Sequence, residues 1–529
     1  MLNVTSEQNV QRSGGESKTK LIMRLLTVIL FLVAAVQSVA QGLAENELNR
    51  LADKHARLSF EIFFDLLSLP NDAHHTGDIE KNVRWCEKAF SERKFRTTRL
   101  NTATVPLLLA ERKSPHARKT VLIYLQIDGQ PVDASLWQQE SPWKPVLKEL
   151  DAEGHWKIIS TDRLTTGKID PEWRIFARSA SDAKGPAAAF LASLDALRES
   201  GYSPDFNIKV IMDFEEELGS PHLAEAVKKY QEALTADLLI ILDGPRHISN
   251  QPTLSFGARG ICEMTITTFG PRQPVHSGNY GNYTPNPAQH LAKLLASMKD
   301  DDGGVLIPGY YDGVQLTPED KIILKQVPDD EQSMNKFLGI AKPDAVGNNF
   351  QEAMQYPTLN IRGLNSLYVG KDARTLIPDK AVAEIDIRLV PASDPARLIK
   401  LVEEHIQKQG FTLLRNAPSE EERLKYPKIA VVNSYISYAA FQTPFTSVPG
   451  IWLTKAMHHA FGKDPIRIKT AGGSIPIAPF IVTLNIPAVA VPTVNADNNQ
   501  HAENENIRVG NYLEAVKTFL AVLSQPIEK

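Results

Sequence analysis

Acidic side chains recur in this chain where apolar runs stop. The run "VLIYLQIDGQPVD" (121–133) ends in Gln126 and Asp128, two residues apart and so able to face one side of an extended strand. An α/β hydrolase mounts a metal ligand and the acid that steadies it in such a place, where histidine is ordinary and glutamine is not. "SASDAKGP" sets Asp182 before a glycine and a helix. "DFEEELGS" puts Glu215, Glu216 and Glu217 after an apolar strand, and "LLIILDGP" ends its strand with Asp243. His501 stands in "NNQHAENE", an Asn-rich loop before the last helix. Singly, each has a plainer use: an Asp caps a helix or turn, three glutamates make a solvated helix start, and a lone His is structural or exposed. Convergence gives them weight. Strand carboxyl ends of an open α/β sheet point into one crevice, and acids gathered there repel one another unless a cation compensates.

The surrounding elements can deliver that convergence. "LNRLADKHARLSFEIFFDLLSLP" carries apolar residues at helical spacing up to Pro70, and "DIEKNVRWCEKAFSERKF" reads as a second helix. Strands "TVLIYLQI", "FNIKVIMDF" and "DLLIILDG" then alternate with helices "AAAFLASLDALRES" and "HLAEAVKKYQEAL", which predicts an α/β domain with a mostly parallel sheet. From about residue 250 the texture changes. Longer strands, "LSFGARGICEMTITTFG" and "KAVAEIDIRLVP", accompany helices "NPAQHLAKLLASM" and "PARLIKLVEEHIQKQG", a pattern for a small α+β sandwich. From about 420, "GIWLTKAMHHAF", "IPAVAVPTV" and the closing helix "NYLEAVKTFLAVL" restore the α/β texture. The predicted division is 41–250 and 417–529 for one α/β domain, interrupted by an inserted α+β domain over 251–416.

At 529 residues, two or more domains are expected. The composition is 43% hydrophobic and 23% charged, ordinary for a soluble protein. A formal net charge of -4 gives no reason to expect a nucleic-acid or anionic-membrane partner. Residues 1–40 read as a signal peptide: Lys18, Lys20 and Arg24 precede or open an apolar run too short for a comfortable membrane span, and Ser38 and Ala40 follow in small-x-small order. The start is Met1 or Met23, the latter leaving 1–22 untranslated. No Cys follows the apolar run, so no lipid anchor is expected and the mature chain is exported, periplasmic or secreted. Cys86 and Cys262 are the two cysteines, read as buried thiols, with a disulfide left open.

The order of motifs resembles the zinc metallopeptidase family of carnosinase, succinyl-diaminopimelate desuccinylase, aminoacylase and glutamate carboxypeptidase. "QIDGQPVD", "SASDAKGP", "EEELGSP", "FGARGI", "VHSG", "RLVP", "GGSIP" and "NNQHAENE" follow in family order, most like the carnosinase-like dipeptidases. The resemblance implies that Asp182 bridges two divalent metals, with Glu217 and His501 completing one site and Asp243 serving the other. It implies a general base at Glu216, which takes a proton from metal-activated water and passes it to the leaving amine. His276 of "VHSG" would polarise the scissile carbonyl across a homodimer interface, making the insertion a lid and dimerisation domain. Arg388, Gly473 and Ser474 would hold the substrate's carboxylate end. The implied reaction is hydrolysis of dipeptides or short peptides with Zn2+.

The departures are specific. Gln126-Ile127-Asp128 stands where the family has HxD, Ala183 follows Asp182 where a second Asp is frequent, and Thr470 and Ala471 precede "GGSIP" where Arg-Glu is common. Gln126 leaves several readings open: an amide ligand holding a second ion weakly, or a harder ion such as Mn2+; a single-metal enzyme on Asp182, Glu217 and His501; or a substitute imidazole from His247 or His222. An N-acyl amino acid deacylase is the neighbouring alternative in function. A catalytically impaired peptide-binding homologue and a peptide-uptake binding protein are the others.

Overall fold

The apolar runs at 121–126, 206–213 and 238–241 lie side by side in the computed structural model, which describes residues 42–473 and 476–528. They form the middle of an eight-stranded sheet. In spatial order its strands are Arg96–Leu100, Leu107–Arg112, Phe206–Asp213, Lys119–Gln126, Leu238–Ile241, Ala488–Ala490, Thr253–Ser255 and Ile466–Ile468. From Phe206–Asp213 to Ala488–Ala490 the strands run parallel, and antiparallel pairings begin on either side. A parallel sheet must be covered on both faces. Val121, Ile123 and Leu125 accordingly enter one apolar cluster with the helices Lys184–Ser200 and Val509–Ser524. Leu122 and Tyr124 enter another with Leu223, Val227 and Phe480.

The predicted helical repeat before Pro70 forms two helices, Glu45–Leu58 and Phe60–Leu67, and the next helix spans Thr76–Glu92. A smaller four-stranded sheet, Asn506–Arg508, Arg174–Phe176, Val146–Leu150 and Trp156–Ile159, flanks the main one. Among the described residues no helix is long and apolar enough to cross a membrane. The predicted signal peptide lies outside the described residues.

The inserted unit is a five-stranded sheet ordered Asn360–Asn365, Lys380–Leu389, Gly260–Phe269, Ile429–Tyr438 and Thr412–Leu414. Burial alternates along Gly260–Phe269, so Cys262, Met264 and Ile266 point to one face. That face packs on Leu291 and Leu294 of the helix Pro287–Ala296 and on Leu398, Val402 and Ile406 of the helix Pro395–Lys408. The predicted return to the α/β domain at 417 requires correction. Ile429–Tyr438 pairs along Gly260–Phe269, inside the inserted sheet. Its apolar run "IAVV" gives way to the exposed positions Asn433, Ser434, Tyr435 and Ile436, because only part of the strand has a covered face.

The two crossings between the units lie against each other. Gly257–Ala258 pairs antiparallel with Phe441–Gln442. A Cβ at Gly257 would stand 2.6 Å from the Phe441 carbonyl oxygen, and one at Gly260 2.5 Å from the Ala440 nitrogen. Both glycines of "FGARGI" thus permit a close backbone approach that no side chain would allow. Cys86 lies in the α/β core and Cys262 in the inserted sheet, and both are free and buried.

Candidate metal centre

The parallel strands stop along one line, and the polar residues begin there. Gln126 closes Lys119–Gln126 and pairs in register with Asp213, which closes its neighbour. Asp243 follows two residues after Ile241. Asp182 reaches the same place from the loop before the helix Lys184–Ser200, with a cis Asp182–Ala183 peptide. His501 comes from the Asn-rich loop, where Asn499, His501 and Asn504 all adopt left-handed backbone with φ of 54°, 63° and 58°. Asn and His tolerate that region better than most residues.

Asp182, Glu217 and His501 each present one donor atom, all within 4.8 Å of one another. His501 Nε2 stands 3.0 Å from Asp182 Oδ2 and 3.3 Å from Glu217 Oε2. The other Asp182 oxygen, Oδ1, accepts a 2.5 Å hydrogen bond from Gln126 Nε2. The site is rich in buried charge. Burial raises the Asp182, Glu216, Glu217 and Asp243 carboxyls above their ordinary range, with neighbouring acids adding to each. The hydrogen bond to Asp182 pushes the His501 imidazole up to about 9. Glu217 Oε1 and Asp128 Oδ1 are buried without hydrogen-bond partners. Buried oxygens left unpartnered beside several carboxylates are costly unless a cation meets them. Two carboxylates and an imidazole are also a donor set that suits a divalent ion. The residues therefore fit a metal.

Further side chains, not among the expected ligands, support the site. Glu505, four residues after His501, is 1% exposed. Its Oε1 accepts the N–H groups of Ser181 (3.0 Å) and Asp182 (2.9 Å) and the Ser181 hydroxyl (2.8 Å). Its Oε2 accepts the Ser179 N–H and Arg178 Nη1, both at 2.8 Å. Gln130 Nε2 donates to Glu217 Oε2 at 2.8 Å. Buried Asp213 receives Tyr124 OH, Ser220 Oγ and the Glu215 N–H, fixing the turn that leads to Glu216. Both Gln130 and Glu505 stand inside the quoted motifs, "QIDGQPVD" and "NNQHAENE". Their signal was proximity to a candidate ligand.

Two expectations change in detail. Asp128, expected to steady the side chain at 126, instead accepts the Glu217 N–H through Oδ2 at 2.9 Å. With no imidazole N–H at 126 to receive, its carboxylate orients the glutamate turn. The glutamates are not a solvated helix start: Glu215 is buried and accepts Thr104 Oγ1 at 2.6 Å, and Glu216–Leu218 is a single 3-10 turn.

The remaining candidates lie elsewhere. His276 is exposed on Val275–His276, a short strand of the insertion paired with Leu376–Ile377, and its Nδ1 accepts the Gly278 N–H at 3.0 Å. Arg388 is on the inserted strand Lys380–Leu389, with Nε 3.7 Å from Asp386 Oδ1. Gly473 is exposed beside the inter-unit crossing, where the Ala471 N–H donates to the Gly257 carbonyl at 2.8 Å, and Ser474 lies outside the described residues. His247 bonds Asp329 Oδ1 at 3.0 Å and Ser249 Oγ at 2.9 Å, and His222 stands just before the helix Leu223–Lys229 without a side-chain capping bond. Neither sits in the Asp182, Glu217 and His501 group.

A doubly covered α/β sheet with this acid-and-imidazole crevice, interrupted by a five-stranded α+β unit, is similar to the architecture of the M20 peptidases. The peptidase dimerisation domain of the family matches residues 256–412. The Cys-Gly metallodipeptidase dug1 of Schizosaccharomyces pombe is 29% identical over 427 residues, covering 78% of this chain and 81% of that protein. The Beta-Ala-His dipeptidase of Mus musculus is 28% identical over 426 residues, 79% of each. Among solved structures, the M20 family metallo-carboxypeptidase Sso-CP2 from Sulfolobus solfataricus superposes with a TM-score of 0.70 at 26% identity, covering 88% of this chain and 98% of that one. Human carnosine dipeptidase 1 shares the fold, with a TM-score of 0.68 at 23% identity, covering 91% and 99%.

Proposed function

We propose that the protein is a metal-dependent dipeptidase that cleaves dipeptides or short peptides. One observation carries the reading. Asp182, Glu217 and His501 gather their donor atoms within 4.8 Å beside Glu216, a carboxyl that burial raises well above its ordinary range. A bound divalent ion would supply Lewis acidity to the scissile carbonyl and acidify water. Glu216 is the proton carrier: a raised carboxyl accepts a proton from water and returns it to the leaving amine. Asp182, Glu217 and His501 would hold the ion, and Asp128 and Glu505 fix the loops that bear them. His276 and Arg388 come from the insertion, as oxyanion donor and carboxylate anchor. The dipeptidase names of the S. pombe and mouse relatives support this substrate class.

The partner surface belongs to the same reading. The matched dimerisation domain and the exposed edge strand Asn360–Asn365, with Leu364 62% exposed, support a homodimer through the insertion. Exhaustive metal removal followed by Zn2+ or Mn2+ return, with a dipeptide and an N-acetyl amino acid as parallel substrates, tests the function. Dipeptide hydrolysis restored by metal is the expected result. Preference for the N-acetyl compound would make the protein a deacylase, and inactivity on both would reduce it to a binding protein. The sequence of residues 1–40 supports export to the periplasm or beyond. A mature N-terminus near Gln41 after expression in a bacterium is the corresponding check.

A further inference from the structure

Gln126 occupies a ligand position of the family and makes a bond that a ligand does not make. Its Nε2 donates to Asp182 Oδ1 at 2.5 Å, while Asp182 Oδ2 faces His501 Nε2 at 3.0 Å. The two oxygens of one carboxylate thus serve two different partners. Gln126 is 1% exposed, and its Oε1 has no hydrogen-bond partner. The amide is therefore held by a single polar contact, from N–H to carboxylate. Turning it over would bring Oε1 against Asp182 Oδ1, two acceptors with no proton between them. An amide that presents N–H to the bridging acid cannot present its lone pairs to an ion on the same side. A neutral imidazole at this position would offer a ring nitrogen lone pair instead. Asp243, the acid available for a second ion, also falls outside the tight group of Asp182, Glu217 and His501.

We infer that this chain holds a single divalent ion, on Asp182, Glu217 and His501, and that the Gln126 N–H takes the place of a second cation on Asp182 Oδ1. This rests on the metal-dependent reading above. It makes Gln126 a positioning residue, which fixes the plane of the Asp182 carboxylate so that Oδ2 meets His501. It also divides the family's site into a half this chain retains and a half it has closed with a hydrogen bond.

Metal stoichiometry tests it. The full-length mature protein is stripped, equilibrated with buffered Zn2+ or Mn2+, and analysed for bound metal per chain. Mn2+ is also followed by electron paramagnetic resonance, where a lone ion and an exchange-coupled pair give different spectra. The wild type is expected to hold about one ion, with the spectrum of an isolated Mn2+, and Gln126→His about two, with a coupled spectrum. Gln126→Leu, which removes the amide without offering a ligand, is expected to stay at about one. Two tightly held ions in the wild type would overturn the inference, as would a single ion in a folded Gln126→His. If Gln126→His does not fold, Gln126→Leu decides it. One isolated ion at saturating metal, held more weakly for want of the positioning contact, is expected. No uptake even at saturating metal overturns the inference by making the amide a ligand. No metal in any variant overturns both the inference and the metal-dependent reading. One ion without dipeptide hydrolysis leaves the inference standing and removes only the dipeptidase assignment.

Discussion

The carboxylate of Glu505 accepts the backbone N–H of Asp182 at 2.9 Å, joining the loop that carries His501 to the loop that carries its closest partner. The two loops are more than three hundred residues apart in sequence, and one buried side chain sets their spacing. A carboxylate taking backbone N–H groups and a guanidinium in a dry site is strongly held.

Removing it should therefore loosen the ligand geometry and the fold together. Glu505→Ala leaves Arg178 charged and buried without its partner, since their side chains are 3% and 1% exposed. Breaking such a pair costs about 3–5 kcal/mol. Glu505→Gln, which keeps the shape and one acceptor oxygen, is expected to cost less. Urea denaturation of the metal-free proteins gives the stability loss, and Zn2+ titration gives the accompanying loss of affinity. An Ala variant as stable as the wild type would show that Glu505 is not the clamp.

Glu216 is expected to separate chemistry from binding. It lies next to Glu217, and burial, with the neighbouring acids, raises its carboxyl above the ordinary range. Glu216→Gln should lower kcat on a dipeptide by about 10²–10⁴ while metal content and KM stay near wild type. Kinetics together with elemental analysis on the same preparation decide it. Loss of metal in step with activity would make Glu216 a ligand instead of the base.

Much of this site was legible in the sequence because strand ends in a parallel sheet announce themselves. Four apolar runs ended in Gln126, the glutamates, Asp243 and the approach to His501, and the parallel topology brings their carboxyl ends together. What the sequence withheld was direction. Nothing in "QID" says that the amide donates to Asp182, nor that Asp128 turns to the Glu217 backbone. Glu505 was hidden for a different reason. A glutamate among asparagines in a polar loop looks solvated, and only the fold shows that it is buried under Arg178. The strand Ile429–Tyr438 was missed because its second half is exposed, which blurs the apolar signal of an inserted strand.

His276 provides a test of assembly as well as of chemistry. It is exposed on the insertion and does not join the Asp182, Glu217 and His501 group. His276→Ala should cut kcat by about 10²–10³, the usual effect of losing one oxyanion donor. If it serves the neighbouring protomer, mixing inactive His276→Ala with inactive Glu216→Gln and allowing exchange should restore about a quarter of wild-type activity, since half the dimers are hybrids with one intact site. Restoration requires a dimer with shared sites. Mixtures that stay inactive after exchange confirmed by mass would place His276 in service of its own chain.

Metal uptake should follow the protonation of His501. In the metal-free protein the hydrogen bond to Asp182 raises the imidazole to about 9, so at neutral pH it is a cation paired with Asp182 and Glu217. An ion must displace that proton, because only the neutral ring has a lone pair to give. Zn2+ affinity is then expected to rise about tenfold per pH unit between pH 7 and 9, and to level off above. Stability carries the same sign. A His with a raised folded-state value stabilises the metal-free protein fully below its ordinary range and loses that contribution as pH climbs through about 9. The buried Asp182 and Glu216 carboxyls, also raised, favour the protonated and therefore lower-pH native state. Both effects weaken the metal-free protein as pH rises, while an ion that meets the ionised groups strengthens the loaded one. The gain in Tm on adding Zn2+ should thus be larger at pH 8 than at pH 6, read by calorimetry on one preparation. A gain that shrinks with pH would mean that the ion does not bind at His501.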